Sequence, residues 1–130
     1  MINYRNEAAF SKALVTTLRN KGWFIQRIES GETGKGIADI YAVSPTGIAM
    51  WLELKRVHMN IPSKINFVDI PWRPGQQAWL SVLHTYKQKV FTLACFNNGI
   101  LRIPHHTVWQ QNLVLIDECT YFKDVRSLVT

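Results

Sequence analysis

Three acids and a lysine, Glu7, Asp39, Glu53 and Lys55, have the types and spacing needed for metal-assisted hydrolysis of a phosphodiester. In the run from Met50 to Lys55, alternation along a strand puts Trp51, Glu53 and Lys55 on one face and Leu52 and Leu54 on the other. An acid and a base inside an apolar strand are costly to bury unless something satisfies both, and a divalent cation with a reacting phosphate does so. Asp39 and Glu53 are the natural carboxylate ligands, with the Leu54 carbonyl as a third. Glu7 is placed to hold a second ion or orient a bound water, and Lys55 to present a positive point charge to the attacking water or the phosphate. The expected ion is magnesium, with manganese as a substitute.

The elements that must position these groups follow from periodicity. Phe10, Ala13, Leu14 and Leu18 recur at helical spacing across residues 5–21, Gly22 supplies a stop, and Glu7 shares the inward face with Leu14. Arg5, Lys12 and Arg19 form a basic stripe on the opposite, solvated side. Residues 23–29 and 37–43 read as strands, and Ser44-Pro45-Thr46-Gly47 is a turn joining the second of them to a third at 48–56. That hairpin brings Asp39 to Glu53.

The Gly34-Lys35 pair between the first two strands is not a nucleotide-binding loop. Glu29 stands where the leading glycine belongs, Gly36 where Ser or Thr belongs, and a strand follows in place of a helix. Residues 57–72 show no clear period, contain Pro62 and Pro71, and are expected to be a loop that contacts substrate or a second copy of the chain. Pro74 opens a second helix with Trp79, Val82, Leu83 and Tyr86 on its apolar stripe and Gln76 turned toward the sheet, where it can fix a water or the substrate. Residues 90–96 are apolar on both faces, as a central strand requires, and Asn98-Gly99 turns the chain into another strand at 100–103.

Composition supports one domain spanning residues 1–130. Of the 130 residues 47% are hydrophobic and 18% charged, which excludes a disordered chain. No apolar run approaches the roughly 20 residues of a membrane span, and the start lacks the apolar core of a signal peptide, so a cytoplasmic protein without membrane partners is expected. Cys95 and Cys119 are too few for a zinc cluster and read as buried free thiols, and the side chains of adjacent His105 and His106 would diverge on a strand. Fifteen Lys and Arg against nine Asp and Glu give a net charge of +6; with three acids and Lys55 in the site, six acids oppose fourteen basic residues elsewhere. Such a surface attracts nucleic acid, and Lys35, Arg56, Lys64 and Arg73 are the expected contacts.

Helix with inward Glu7, strand with Asp39, thirteen residues, Glu53-Leu54-Lys55, then a helix opening with Gln76 three residues before Trp79: this order resembles the PD-(D/E)XK nuclease superfamily across about residues 5–96. Within it the chain is most similar to virus-type VRR-NUC nucleases and compact Holliday-junction resolvases, which also carry an early helical glutamate. Ala38 stands where a proline often precedes the aspartate, a position that shapes the strand and binds no metal. The resemblance implies an α/β fold, a restriction-endonuclease-like mixed β-sheet flanked by helices, and metal-dependent cleavage of branched or duplex DNA. Symmetric cutting of two strands by a chain with one site requires two copies, hence a homodimer. The alternatives are a nuclease of this fold acting on single-stranded DNA, flaps or RNA, and a non-catalytic nucleic-acid-binding module. A structural protein whose Glu53 merely pairs with Lys55 or Arg27 is a further alternative.

Overall fold

The computed structural model describes residues 2–28, 39–105, 108–109 and 112–129. Helix α1 (Glu7–Asn20) is started by Asn6, whose side chain accepts the Ala9 amide, and buries Phe10, Leu14, Val15 and Leu18 along one stripe. Arg5, Lys12 and Arg19 are exposed, as their helical phase requires. Strands β1 (Phe24–Arg27), β2 (Ile40–Val43) and β3 (Ala49–Arg56) follow as an antiparallel run. The β2–β3 turn is closed by Ser44, whose hydroxyl accepts the Ile48 amide and whose carbonyl accepts that of Gly47. Gly47 takes φ 89°, a conformation that favours glycine.

Strand β4 (Phe67–Asp69) precedes α2 (Gln76–Thr85), and β5 (Val90–Phe96) then returns beside β3 in parallel. Strand β6 (Gly99–Pro104), the short β7 (Val108–Trp109) and β8 (Leu113–Leu115), and β9 (Thr120–Phe122) complete the chain, with 3-10 turns at Ile116–Glu118 and Arg126–Val129. The main sheet has six strands in the order β1-β2-β3-β5-β6-β9, and β3–β5 is its parallel pair while its other pairs are antiparallel. A second sheet has the order β4-β8-β7.

The main sheet is covered on both faces. Phe10 and Leu14 of α1 pack with Leu52, Leu54 and Leu93 on one side. Leu80 of α2 packs with Ala94, Leu101 and Ile103 on the other, together with Val68 and Val114 of the small sheet. Residues 57–72 are therefore not an open loop. Ile70 and Trp72 are buried, the Trp72 indole donates to Thr92 Oγ1 at 3.1 Å, and β4 pairs with β8. The missing period reflects a three-residue strand whose partner lies more than forty residues later. Both cysteines are free, and burial pushes the Cys95 thiol up to about 11 and the Cys119 thiol to about 12, so both stay protonated. Among the described residues no helix is long and apolar enough to cross a membrane.

Candidate active site

The site lies where β2 begins beside the second half of β3. Ile40 pairs with Leu52, so Asp39, one residue before β2, sits level with Glu53. Its Oδ2 accepts the Leu54 amide at 2.9 Å. Within an antiparallel ladder the N–H and C=O of one residue leave on the same edge. The Leu54 carbonyl therefore emerges on the Asp39 side, beyond the last β2–β3 pair. A carbonyl and two carboxylates thus share one corner of the sheet.

Glu53 is fully buried, and its two oxygens are treated unequally. Oε2 accepts a hydrogen bond from Gln76 Nε2 at 2.9 Å and lies 3.5 Å from Lys55 Nζ. Oε1 receives no hydrogen bond. Burial, and then the negative charge of Asp39, push the Glu53 carboxyl from 4.5 up to about 8 against the opposing pull of Lys55. Glu53 does pair with Lys55, the pairing expected of a purely structural role, yet the pair leaves the acid short of positive charge. Among the described residues no three His, Cys, Asp or Glu side chains form a metal-ligating group. What the corner offers is Asp39, Glu53 and a backbone carbonyl with one buried oxygen unspent, a set of hard donors that fits magnesium, which keeps several waters and takes few protein carboxylates.

Lys55 is 1% exposed and is held between two acids, Glu53 at 3.5 Å and Glu7 Oε1 at 3.9 Å. Glu7 reaches it from the first turn of α1, with its side chain 41% exposed. The structure therefore places Glu7 beside the lysine. Gln76 is buried at the start of α2, its Oε1 accepting the Arg73 amide at 2.7 Å while its Nε2 faces Glu53. With the acceptor end taken by the backbone, only the donor end remains for the carboxylate. Gly75, at φ 89°, bends the chain into α2 directly before it.

A cleft of about 320 Å³ opens onto this corner, lined by Glu7, Ser11, Arg27, Ile28, Asp39 and Leu54. Arg27 and Ser11 were not expected there. Arg27 ends β1, whose register opposite Ile40 sets it beside Asp39, and Ser11 lies one helical turn after Glu7. Helical phase alone could have found Ser11; Arg27 required the β1–β2 register.

The four expected nucleic-acid contacts divide. Arg56 is corrected: it is only 9% exposed, and its guanidinium donates to the carbonyls of Tyr4, Val57 and Cys95 and to Asn97 Oδ1 at 2.7–3.0 Å. Four of its N–H donors are thus directed inside the protein, tying the chain before α1 to the ends of β3 and β5. Lys64 and Arg73 are exposed. Lys35 lies outside the described residues, as do residues 29–38 around it.

The architecture has a solved counterpart. Hjc of Archaeoglobus fulgidus, a Holliday junction resolvase, matches it with a TM-score of 0.52 over 93% of this chain and 91% of that one, at 11% sequence identity. The likeness is one of fold. No protein-family model and no curated protein sequence matches the chain. The mixed six-stranded sheet flanked by helices is thus a fold shared with Hjc, and the residues at its corner must carry any argument about chemistry.

Proposed function

We propose that this protein is a metal-dependent endonuclease that hydrolyses DNA phosphodiesters and selects branched DNA. The observation that carries the reading is the buried Glu53 carboxyl group, level with Asp39, with one oxygen to which no protein group donates. Asp39, Glu53 and the Leu54 carbonyl would hold a magnesium or manganese ion. When bound, such an ion supplies an activated water and stabilises charge on the phosphoryl and leaving oxygens.

The chain's own groups do the positioning. Gln76 fixes one Glu53 oxygen and leaves the other without a donor. Glu7 and Glu53 hold the Lys55 side chain between them, so that its ammonium can meet the developing negative charge of the phosphate. Arg27 and Ser11, on the cleft wall, are placed to contact the incoming strand. Arg73 and Lys64 extend the positive surface, and the overall charge of +6 favours approach of a polyanion.

The preference for branched DNA is supported by the fold shared with Hjc and by the resemblance to compact resolvases and VRR-NUC nucleases. Paired cuts across a junction would require a homodimer. Four-way junction, flap, single-stranded DNA, RNA and linear duplex substrates incubated with and without magnesium test the proposal. Metal-dependent cleavage strongest on the junction is expected. No cleavage of any substrate in magnesium or manganese would sink the enzyme reading, and equal cleavage of all would sink the branched preference alone.

A further inference from the structure

On the α2 side of the main sheet the covering ends at β3. Among the described residues, the buried members of β1 and β2, Ile25, Ile40 and Ala42, all belong to the core under α1, and neither strand contributes to the core under α2. Directly paired residues project from the same face, so register lays out what the uncovered half presents: one row of Phe24, Val43 and Ala49, then one of Gln26, Tyr41 and Trp51. Tyr41 stands two residues from Asp39 along β2, and Trp51 two residues from Glu53 along β3. The face therefore adjoins the proposed site along two strands.

Aromatic side chains dominate it. Phe24 is 56% exposed, and the Tyr41, Trp51 and Trp79 rings stand in a row with centroids 4.8 and 5.3 Å apart, the last of them from α2. From Trp79 the same side of the helix runs through Val82 to Tyr86, which is 73% exposed at the C-cap. The floor of this corner is thus sheet, and its wall is helix.

Charge around the corner has one sign. No Asp or Glu occurs in residues 8–28, 40–52 or 70–116, the stretches that supply floor and wall. Lys21 ends α1 three residues before Phe24, and Lys87 and Lys89 follow Tyr86, where the Lys89 carbonyl accepts the Trp51 amide at 2.9 Å. All three lysines are exposed. Lys87 takes φ 61°, a left-handed position that favours glycine, so a cation is kept there against the preference of the backbone. A second copy of the chain seated on this face by two-fold symmetry would bring the same lysines and no acid to meet them. A strand of nucleic acid brings phosphates for the lysines and a π-face at every base.

We infer that this open corner binds an unpaired strand of DNA, with bases against Phe24, Tyr41 and Tyr86 and phosphates against Lys21, Lys87 and Lys89. Stacking on aromatic side chains is indifferent to base identity, and a duplex keeps its bases internal, so the corner favours substrates with an unpaired stretch over linear duplex. The inference rests on the nuclease reading for its link to cleavage, and it names the feature of the substrate that the surface recognises.

The test measures anisotropy of labelled oligothymidylate and of a linear duplex with the full chain in chelator. Wild-type protein should prefer the single strand by at least about tenfold, and joint Phe24→Leu and Tyr86→Leu substitution, which keeps apolar bulk without a π-face, should remove that preference while duplex affinity stays within about threefold. Lys87→Gly should weaken oligothymidylate binding by about threefold while the melting temperature holds or rises, because glycine relieves the left-handed residue. A purely structural lysine would give the thermal effect alone. If wild-type protein cuts DNA but shows no preference for the single strand, or the Leu variant keeps it, the inference is overturned and the nuclease reading stands. If the Leu variant instead splits a dimer in sedimentation with its affinity unchanged, the corner is a subunit interface and the inference also falls. If the preference and its loss are both seen but no substrate is cut in magnesium or manganese, the binding surface stands and the nuclease reading falls.

Discussion

Lys55 and Arg56 are consecutive residues of β3, both cationic and both buried, and the two sides of the strand use them differently. On one side Arg56 meets three backbone carbonyls and an amide oxygen at 2.7–3.0 Å, neutral acceptors that take up four of its N–H donors. On the other, Lys55 meets two carboxylates at the longer distances of 3.5 and 3.9 Å, next to an acid with an unused oxygen and a cleft that opens on Asp39 and Leu54. A buried cation tied to carbonyls joins segments of the fold. One held among under-neutralised acids beside an opening is stationed for a ligand.

Substitutions should separate the two sides. Asp39→Asn or Glu53→Gln should lower single-turnover cleavage by at least about a thousandfold, because the ion's ligands and its activated water are lost together. DNA binding measured by anisotropy should hold or strengthen as a negative charge is removed beside the phosphate, and calorimetry should show weaker magnesium affinity; unchanged affinity would refute the ligand assignment. Arg56→Ala should cost about 3–5 kcal/mol in denaturant unfolding, since buried carbonyls lose their donors. Cleavage per folded molecule should survive it, and selective loss of DNA binding with normal stability would return Arg56 to the nucleic-acid surface.

Lys55→Ala should reduce turnover by about a hundredfold with a much smaller change in magnesium affinity. Gln76→Ala should reduce it by about tenfold by releasing the Glu53 carboxylate, with Gln76→Glu worse because a third acid would join the corner. The smallest effect is on stability. Glu53 titrates near 4.5 unfolded and is pushed up to about 8 in the folded, metal-free protein. Between those values the folded state holds the extra proton, so stability is greatest below about 4.5 and declines as pH rises toward about 8. Melting in chelator should show that decline, magnesium should diminish it, and Glu53→Gln should remove this component.

The side of β3 bearing the site was legible because local rules fix it. Alternation separates Glu53 and Lys55 from Leu52 and Leu54, a four-residue turn brings Asp39 level, and helical phase turns Glu7 and Gln76 inward. The Arg56 side was not, because its partners stand far away in the chain: Tyr4 is 52 residues earlier and Asn97 is 41 later. No period announces such a convergence, and a basic residue at a strand's end looks like one bound for solvent. The small sheet escaped for the same reason, since Val68 meets Val114 only after the main sheet has formed most of its length. Arg27 reaches the cleft through a register set across residues 28–39.

The parallel pairing of β3 with β5 also decides how the amide of Gln76 arrives. Parallel neighbours cannot be joined by a tight turn; the connection must leave the sheet, cross one face and return, nearly always with a right-handed sense. Once β3 and β5 lie side by side, the handedness of the polypeptide selects the face on which α2 rests, and that is the face bearing Glu53. The segment between β3 and α2 can lengthen or shorten without moving the helix to the wrong side. Chirality of the chain, acting through topology, therefore protects the link between Gln76 and Glu53 against changes in the connection that delivers it.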